Sequence, residues 1–508
     1  MLRDLAPGVT DPAGSEARRL SRRLGGLPLA LHLAGAYLGS SFARWANFAA
    51  YHDALDSVEL PAALDDLEGP GDATLQRTWD LSLDTLAAQG RPQARQLLLV
   101  LSCFAPATPI PARLLQPQPL AGLLAGHADP PRALREGLQG LSNTGLIEVS
   151  GSYGPGGLNA VTMHPVVADV NRRRLATLAE TDRAAIQSTA AALLEAGAAG
   201  LEAARPADWP AWRLLVPHVN AAIDLLAADL DPAVLARLLT VSAACTEALL
   251  GGGRRAAAEK LAQASVVAAA YLSRDDPAAM TARGQLALTL VRRGSIGEAE
   301  MLYGDLLADR RQVQGDDHPD TLATRHDLAA AIGLQGRFGE AEQLYRALLA
   351  DDYRLLGPDH RHTLAARHNL ARMIGRQGRY AEADKLCREV LADQRRVLGD
   401  THPDTLATRH SLARITGMAG RYAEAEQMYR RVLDERRRVL GDDHPDTLAS
   451  RAVLASLAAR QGRHGEAEEL YRQLLADRTR VLGAGHPDTD ATRNELAQLA
   501  ARRTGIDG

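Results

Sequence analysis

Five histidines stand 42 residues apart in the second half of the sequence: His318, His360, His402, His444 and His486. Imidazole at regular intervals invites a metal reading, because neutral histidine is a common ligand for zinc and related ions. Distance removes that reading. A 42-residue period implies stacked units of two helices each, which places successive units roughly 18–20 Å apart, whereas zinc needs its ligands at about 2 Å. The residues that follow give a different role. Four of the five histidines open the string His-Pro-Asp. Proline presets the helical φ at the first position, and aspartate sets a carboxylate on the positive end of the helix dipole. The histidines are therefore expected to cap helices, and no metal is expected.

A second series has the same period: Arg283, Arg325, Arg367, Arg409, Arg451 and Arg493. Guanidinium groups recurring on one helix face suit carboxylates. They fit either contact with a ligand or a solvated face bridged between repeats. The residues next to them read His326-Asp327, His368-Asn369, His410-Ser411, Ala452-Val453 and Asn494-Glu495. The candidate partner-binding set is Arg325, His326, Arg367, His368, Asn369, Arg409, His410 and Arg451. Arginine beside histidine favours an acidic segment.

Other chemistries lack their residues. Lys260 and Lys385 are the two lysines, and neither follows a G-x-x-x-x-G-K loop able to cradle phosphates. Cys103, Cys245 and Cys387 are scattered without a C-x-x-C pair, so neither a disulfide framework nor a thiolate zinc site is expected. The chain has no catalytic constellation and is expected to be non-enzymatic. Its 508 residues carry a net charge of −4, 46% apolar and only 4% aromatic residues, which suits helices better than strands. The start lacks the apolar core of a signal peptide, and no apolar run is expected to reach the ~18 residues of a membrane span. A cytoplasmic protein without a membrane partner follows.

The elements that position these residues repeat with the histidines. In the unit at His318, helix A starts at His-Pro-Asp and turns Leu322, Leu328, Ala329 and Ile332 to one side. Gly336-Arg337 makes a turn, and helix B buries Ala341, Leu344, Tyr345 and Leu348 before closing at Gly357. A degenerate helical pair precedes the regular units. Asp490 stands where earlier units carry leucine, as a terminal cap requires. The fold class is mainly α: a helical subdomain (residues 1–65), helices followed by a β-hairpin in a winged-helix arrangement (66–176), a helical connector (177–232) and an α-solenoid (233–508). Between Asp66 and Arg174 nine Arg face nine Asp plus Glu, so no basic field exists for duplex DNA, and nucleic acid is not an expected partner. The Arg172–Arg174 run is expected as a solvated helix end.

Two resemblances add to this. RYAEAEQMYRRVL after HPDTLATRHSLA resembles the tetratricopeptide repeat in its 42-residue, kinesin-light-chain-like form. That family lines its concave groove with helix A and holds peptides through paired asparagines, of which Asn369 alone keeps the second. The string GGLPLALHLAGAYL resembles the GLPLAL motif of NB-ARC (STAND-class) ATPases, and VTMHPVVADVNR their MHD motif with Pro165 in place of aspartate. The resemblance implies ADP as cofactor, with Pro28 packed on adenine and His164 at the β-phosphate. Without the phosphate loop, no ATP-hydrolysing site is expected, and the chain reads as such a protein beginning partway through its switch. The expected function is a scaffold or regulator binding a protein or peptide partner in the array groove, with self-association allowed. An ADP-responsive regulator and a DNA-binding regulator are the alternatives.

Overall fold

Helical periodicity and punctuation by Gly and Pro carry over into a mainly α structure with one small sheet. The computed structural model describes residues 70–124, 127–151, 158–203, 205–485 and 487–504 and, upstream, 14–23, 47–57 and scattered positions between 6 and 38. Contacts divide the chain into two compact units: residues 1–203, 208–245 and 263–279 form one, and residues 204–207, 246–262 and 280–508 the other.

In the first unit α1 (Ser15–Arg23) and α2 (Phe48–Ser57) lead into α3 (Pro70–Ala88) and α4 (Gln93–Ser102). Strand β1 (Ile110–Pro111) comes next, followed by α5 (Pro130–Asn143), β2 (Ile147–Gly151), β3 (Leu158–Met163) and α6 (Pro165–Thr177). Helices α7 (Glu180–Ala198), α8 (Trp209–Leu226), α9 (Pro232–Gly251) and α10 (Arg255–Ala269) complete the upstream part. The expected hairpin is present, with Ile147 opposite Met163 and Val149 opposite Val161. Beyond the hairpin, Ile110 and Pro111 add a third strand in the order β1-β3-β2. Pro111 is tolerated because β1 lies at the sheet edge, where a missing N–H breaks no ladder.

Of the three arginines expected at a solvated helix end, Arg173 is exposed, while Arg172 and Arg174 are drawn into packing. Arg172 donates to Ser102 O at 2.8 Å and Phe104 O at 2.9 Å, capping the carbonyls that end α4. Arg174 pairs with Asp80, which also holds Arg95. Helix α9 corrects a second expectation, since by length and its mean hydropathy of 1.6 it is apolar enough to cross a membrane. Of that apolar window 56% is buried inside the fold, as in the core helix of a globular protein.

The second unit holds the regular helical pairs. They are α11 (Pro277–Arg293) with α12 (Ile296–Gln314), α13 (Pro319–Leu334) with α14 (Phe338–Leu355) and α15 (Arg361–Arg376) with α16 (Tyr380–Val397). Next come α17 (Pro403–Met418) with α18 (Tyr422–Leu440) and α19 (Pro445–Arg460) with α20 (His464–Leu482), and α21 (Pro487–Thr504) closes the row. Each histidine at a described A-helix start accepts a backbone N–H at Nδ1: His318 from Asp320 at 3.2 Å, His360 from His362 at 3.3 Å, and His402 and His444 from Asp404 and Asp446 at 3.1 Å. These bonds satisfy one orphan donor per helix. His486 lies outside the described residues. Gly336 and Gly357 sit at φ +87° and +84°, so the A-to-B and B-to-A corners both use the left-handed region that only glycine enters freely.

Tyr345 and Ala341 are fully buried between the helices, beside Leu322, Ile332 and Leu348. Leu344 departs from expectation at 38% exposed, because it stands about 100° around the helix from Tyr345. Buried arginines stitch one pair to the next. Arg310 donates to Asp320 O and Thr324 Oγ1, Arg436 to Asp446 O and Ser450 Oγ, and Arg478 to Asp488 O and Thr492 Oγ1. Within this unit the turn after α9 also meets the later repeats: His444 Nε2 donates to Gly251 O at 2.5 Å, and Arg255 lies 3.6 Å from Asp488.

Candidate partner-binding face of the repeat array

Helix A of each pair contributes to one face. The A helices α13 and α15, and α15 and α17, pack on one another directly. The predicted arginines and histidines all lie on these helices, yet the structure gives them different work.

The arginine series points sideways into its own repeat. Arg283 meets Asp309 at 2.6 Å, Arg325 meets Asp351 at 2.8 Å, and Arg367 and Arg451 meet Asp393 and Asp477 at 2.7 Å. Arg409 pairs with Glu435 and Asp400. Every B-helix partner stands 26 residues downstream, so the bridge joins helix A to helix B inside one repeat. It neither links repeats nor leaves a free cation. The arginine side chains are 10–19% exposed, and Arg325, Arg367 and Arg451 hold the carboxyls beside them below the usual range. The sequence could not separate these options, because the acidic partner lies on another helix.

The histidines do join repeats. Asn369 donates to His326 Nε2 at 3.0 Å, His326 Nδ1 meets Asp327 at 3.1 Å, and Arg372 donates to Asn369 Oδ1 at 2.8 Å. The one asparagine kept from the peptide clamp is thus engaged within the array. His368 Nε2 bonds Ser411 Oγ at 2.9 Å across the next boundary. His326 and His410 lie edge-on to Tyr345 and Tyr429, with ring centroids 5.5 and 4.9 Å apart. Sequence reasoning passed over Arg372 and Arg414, which stand one turn beyond the histidines at the same repeat position. The shared period was the signal for them.

Burial pushes His410 down to about 3, helped by the charges of Arg436 and Arg414. Burial, then Arg372 and Arg414, lowers His368 as well. Both are neutral in the fold, while the unfolded chain titrates near the ordinary 6.5. As pH falls below that value the unfolded chain takes up protons that the fold refuses. Stability present above it is therefore lost on the way down toward the folded value. Between about pH 7 and about pH 5, where carboxylates stay ionised, the array is expected to lose about 1–2 kcal/mol per histidine. Thermal melts over that range should show a shallower pH slope for His410→Gln than for the native chain. Equal slopes would refute the assignment.

Pro28 lies outside the described residues. His164 is exposed at the start of α6, where Nδ1 accepts the Val166 N–H at 3.2 Å. That cap uses Nδ1 and leaves Nε2 outside it.

Residues 277–353, 362–437 and 418–476 match the tetratricopeptide repeat family model. The helical pairs of the second unit are tetratricopeptide repeats. Among solved structures, nearly identical TPR-like repeats of a kinesin light chain candidate from Podosopora anserina are 28% identical, covering 40% of this chain and 96% of that one at a TM-score of 0.32. A Signal Transduction ATPase with Numerous Domains (STAND) protein with a tetratricopeptide repeat sensor from Pyrococcus horikoshii is 13% identical, covering 99% of this chain and 68% of that one at a TM-score of 0.40. No curated protein matches the chain.

Proposed function

We propose that the chain is a non-enzymatic interaction protein whose repeat array docks a protein or peptide partner on the face lined by its A helices. The observation that carries this reading is the packing of A helices on one another, α13 on α15 and α15 on α17, with Asn369–His326 and His368–Ser411 bonds across those same boundaries. A preformed surface lowers the ordering cost of binding an extended segment. The upstream helices and sheet are read as the remaining arm of a STAND-type signalling switch with a winged-helix part. Support comes from the GLPLAL string and from Met163-His164 at the junction of β3 and α6. The reading includes the cytoplasm, where three buried, unpaired thiols are at home.

Photo-crosslinking of the full chain tests the docking face. Crosslinking residues at Ala330 and Ser456, which share a position on helix A, are expected to trap the same partner from the native cell. The same residues at Ala347 and Arg431 on helix B should not. Crosslinks confined to helix B would sink the proposal.

A further inference from the structure

The turn between α9 and α10 departs from the corners of the regular pairs. Each A-to-B corner from α11 to α20 carries a glycine in the left-handed region: Gly294, Gly336, Gly378, Gly420 and Gly462. A Cβ added at any of these five would meet nothing within 4 Å. Gly253 holds the same conformation at φ +76°, yet a Cβ there would stand 2.5 Å from Pro445 Cδ and 2.7 Å from its Cγ. Pro445 is the first residue of α19. This corner glycine is pressed against a distant part of the chain.

Two polar contacts lie beside that point. His444 caps α19 through Nδ1, and its Nε2 also donates to Gly251 O at 2.5 Å. Two residues after the corner, where later pairs carry Ile296, Phe338, Tyr380, Tyr422 and His464, the chain has Arg255. Its guanidinium lies 3.6 Å from Asp488 in the first turn of α21. All these residues belong to one compact unit. Gly251 and His444 are nevertheless 193 residues apart, with four helical pairs, α11 to α18, between them. A straight row of that length would separate them by several tens of ångströms. The row therefore curves back until its beginning meets its last pairs.

Repeat arrays are held by contacts between neighbours, and their curvature is the sum of small rotations from unit to unit. A contact between distant units removes that freedom. We propose that the Gly251–Gly253 turn is a clasp that closes the array on itself and fixes its curvature. Three glycines in a row suit the close approach, since side chains here would hold the two backbones apart. One hydrogen bond, one partly exposed ion pair and one proline contact make a fastening weak enough to open and reclose. Fixed curvature presets the spacing of the A helices, so the clasp lowers the ordering cost of docking. That consequence rests on the A-helix face being the docking face.

The test measures the distance between spin labels at Lys260→Cys and Ala484→Cys in the full chain. Both positions are exposed and the three native thiols are buried, so the labels attach where they are placed. The otherwise native chain is expected to give one narrow distribution. Gly253→Ala should open the clasp and give a longer, broader one. Gly336→Ala puts the same methyl on a left-handed corner with open space beside it, so it should strain the backbone alike and keep the native distance. His444→Asn retains a side chain able to cap α19 but too short to reach Gly251, and should raise the open fraction about fivefold. His402→Asn, where the histidine's bonds stay within its own helix start, should not. Crosslinking yield from Ala330 and Ser456 should fall by about the same factor when the clasp is open. A broad distribution without these substitutions, native distances in both Gly253→Ala and His444→Asn, or an equal shift in Gly336→Ala would overturn the clasp. Opening without any loss of crosslinking would overturn its part in docking. Crosslinks confined to helix B, with the distances shifting as described, would remove the docking face and leave the clasp standing.

Discussion

Arg367→Glu is expected to unfold the middle of the array rather than merely alter what it binds. The Arg367 side chain is 10% exposed and pairs with Asp393 at 2.7 Å. Asp393 also faces Arg396, which reaches back to Asp359 ahead of helix A. A glutamate at position 367 would remove the cation that holds the Asp393 carboxyl down and put a second anion against it. Breaking a largely buried pair from one side leaves an uncompensated charge, with a loss of about 3 kcal/mol after allowing for the partial exposure of Asp393. Exchanging the charges, Arg367→Glu with Asp393→Arg, should restore much of it. The exposed pair Arg395–Asp400, 2.7 Å apart, is the control, and Arg395→Glu should change stability by less than about 1 kcal/mol. Chemical denaturation of the three variants measures this. If Arg367→Glu unfolds at the native midpoint, the A-to-B bridge is not structural and a ligand role for the series returns.

Tyr345→Ala is expected to cost about 3–5 kcal/mol. Its ring is fully buried in the cluster formed by Leu322, Ile332, Leu348 and Ile374, and lies edge-on to His326. Truncation removes the contacts and leaves a cavity that two rigid helices cannot close. The hydroxyl matters less. It donates to His326 O at 3.3 Å, so Tyr345→Phe should cost about 1 kcal/mol or less. Because each repeat is stabilised by its neighbours, hydrogen exchange should quicken first in α13 and α14 and fade with distance along the row. A loss below about 1 kcal/mol for Tyr345→Ala, or an even rise in exchange across all repeats, would contradict this packing account.

What the sequence by itself determined was whatever one helix decides alone. The 42-residue period, the His-Pro-Asp starts, the glycine corners and the Leu322–Ala329–Ile332 face are each set within a few residues, by capping, by φ and by helical pitch. The tetratricopeptide repeats could therefore be read directly. The hairpin of β2 and β3 was equally local, while β1 was not, because a strand of two residues exists only through Val161 and Ala160 opposite it.

Only the tertiary structure decided which charges are free. Arg367 and Arg414 look alike in the sequence, both on helix A and both recurring with the period. One finds Asp393 on the neighbouring helix, and the other meets no carboxylate among the described residues. The same holds for Arg172, expected in solvent and found on the carbonyls ending α4. The physical reason is reach. Periodicity fixes the face on which a guanidinium leaves its helix, but its partner within about 3 Å is set by how neighbouring helices pack.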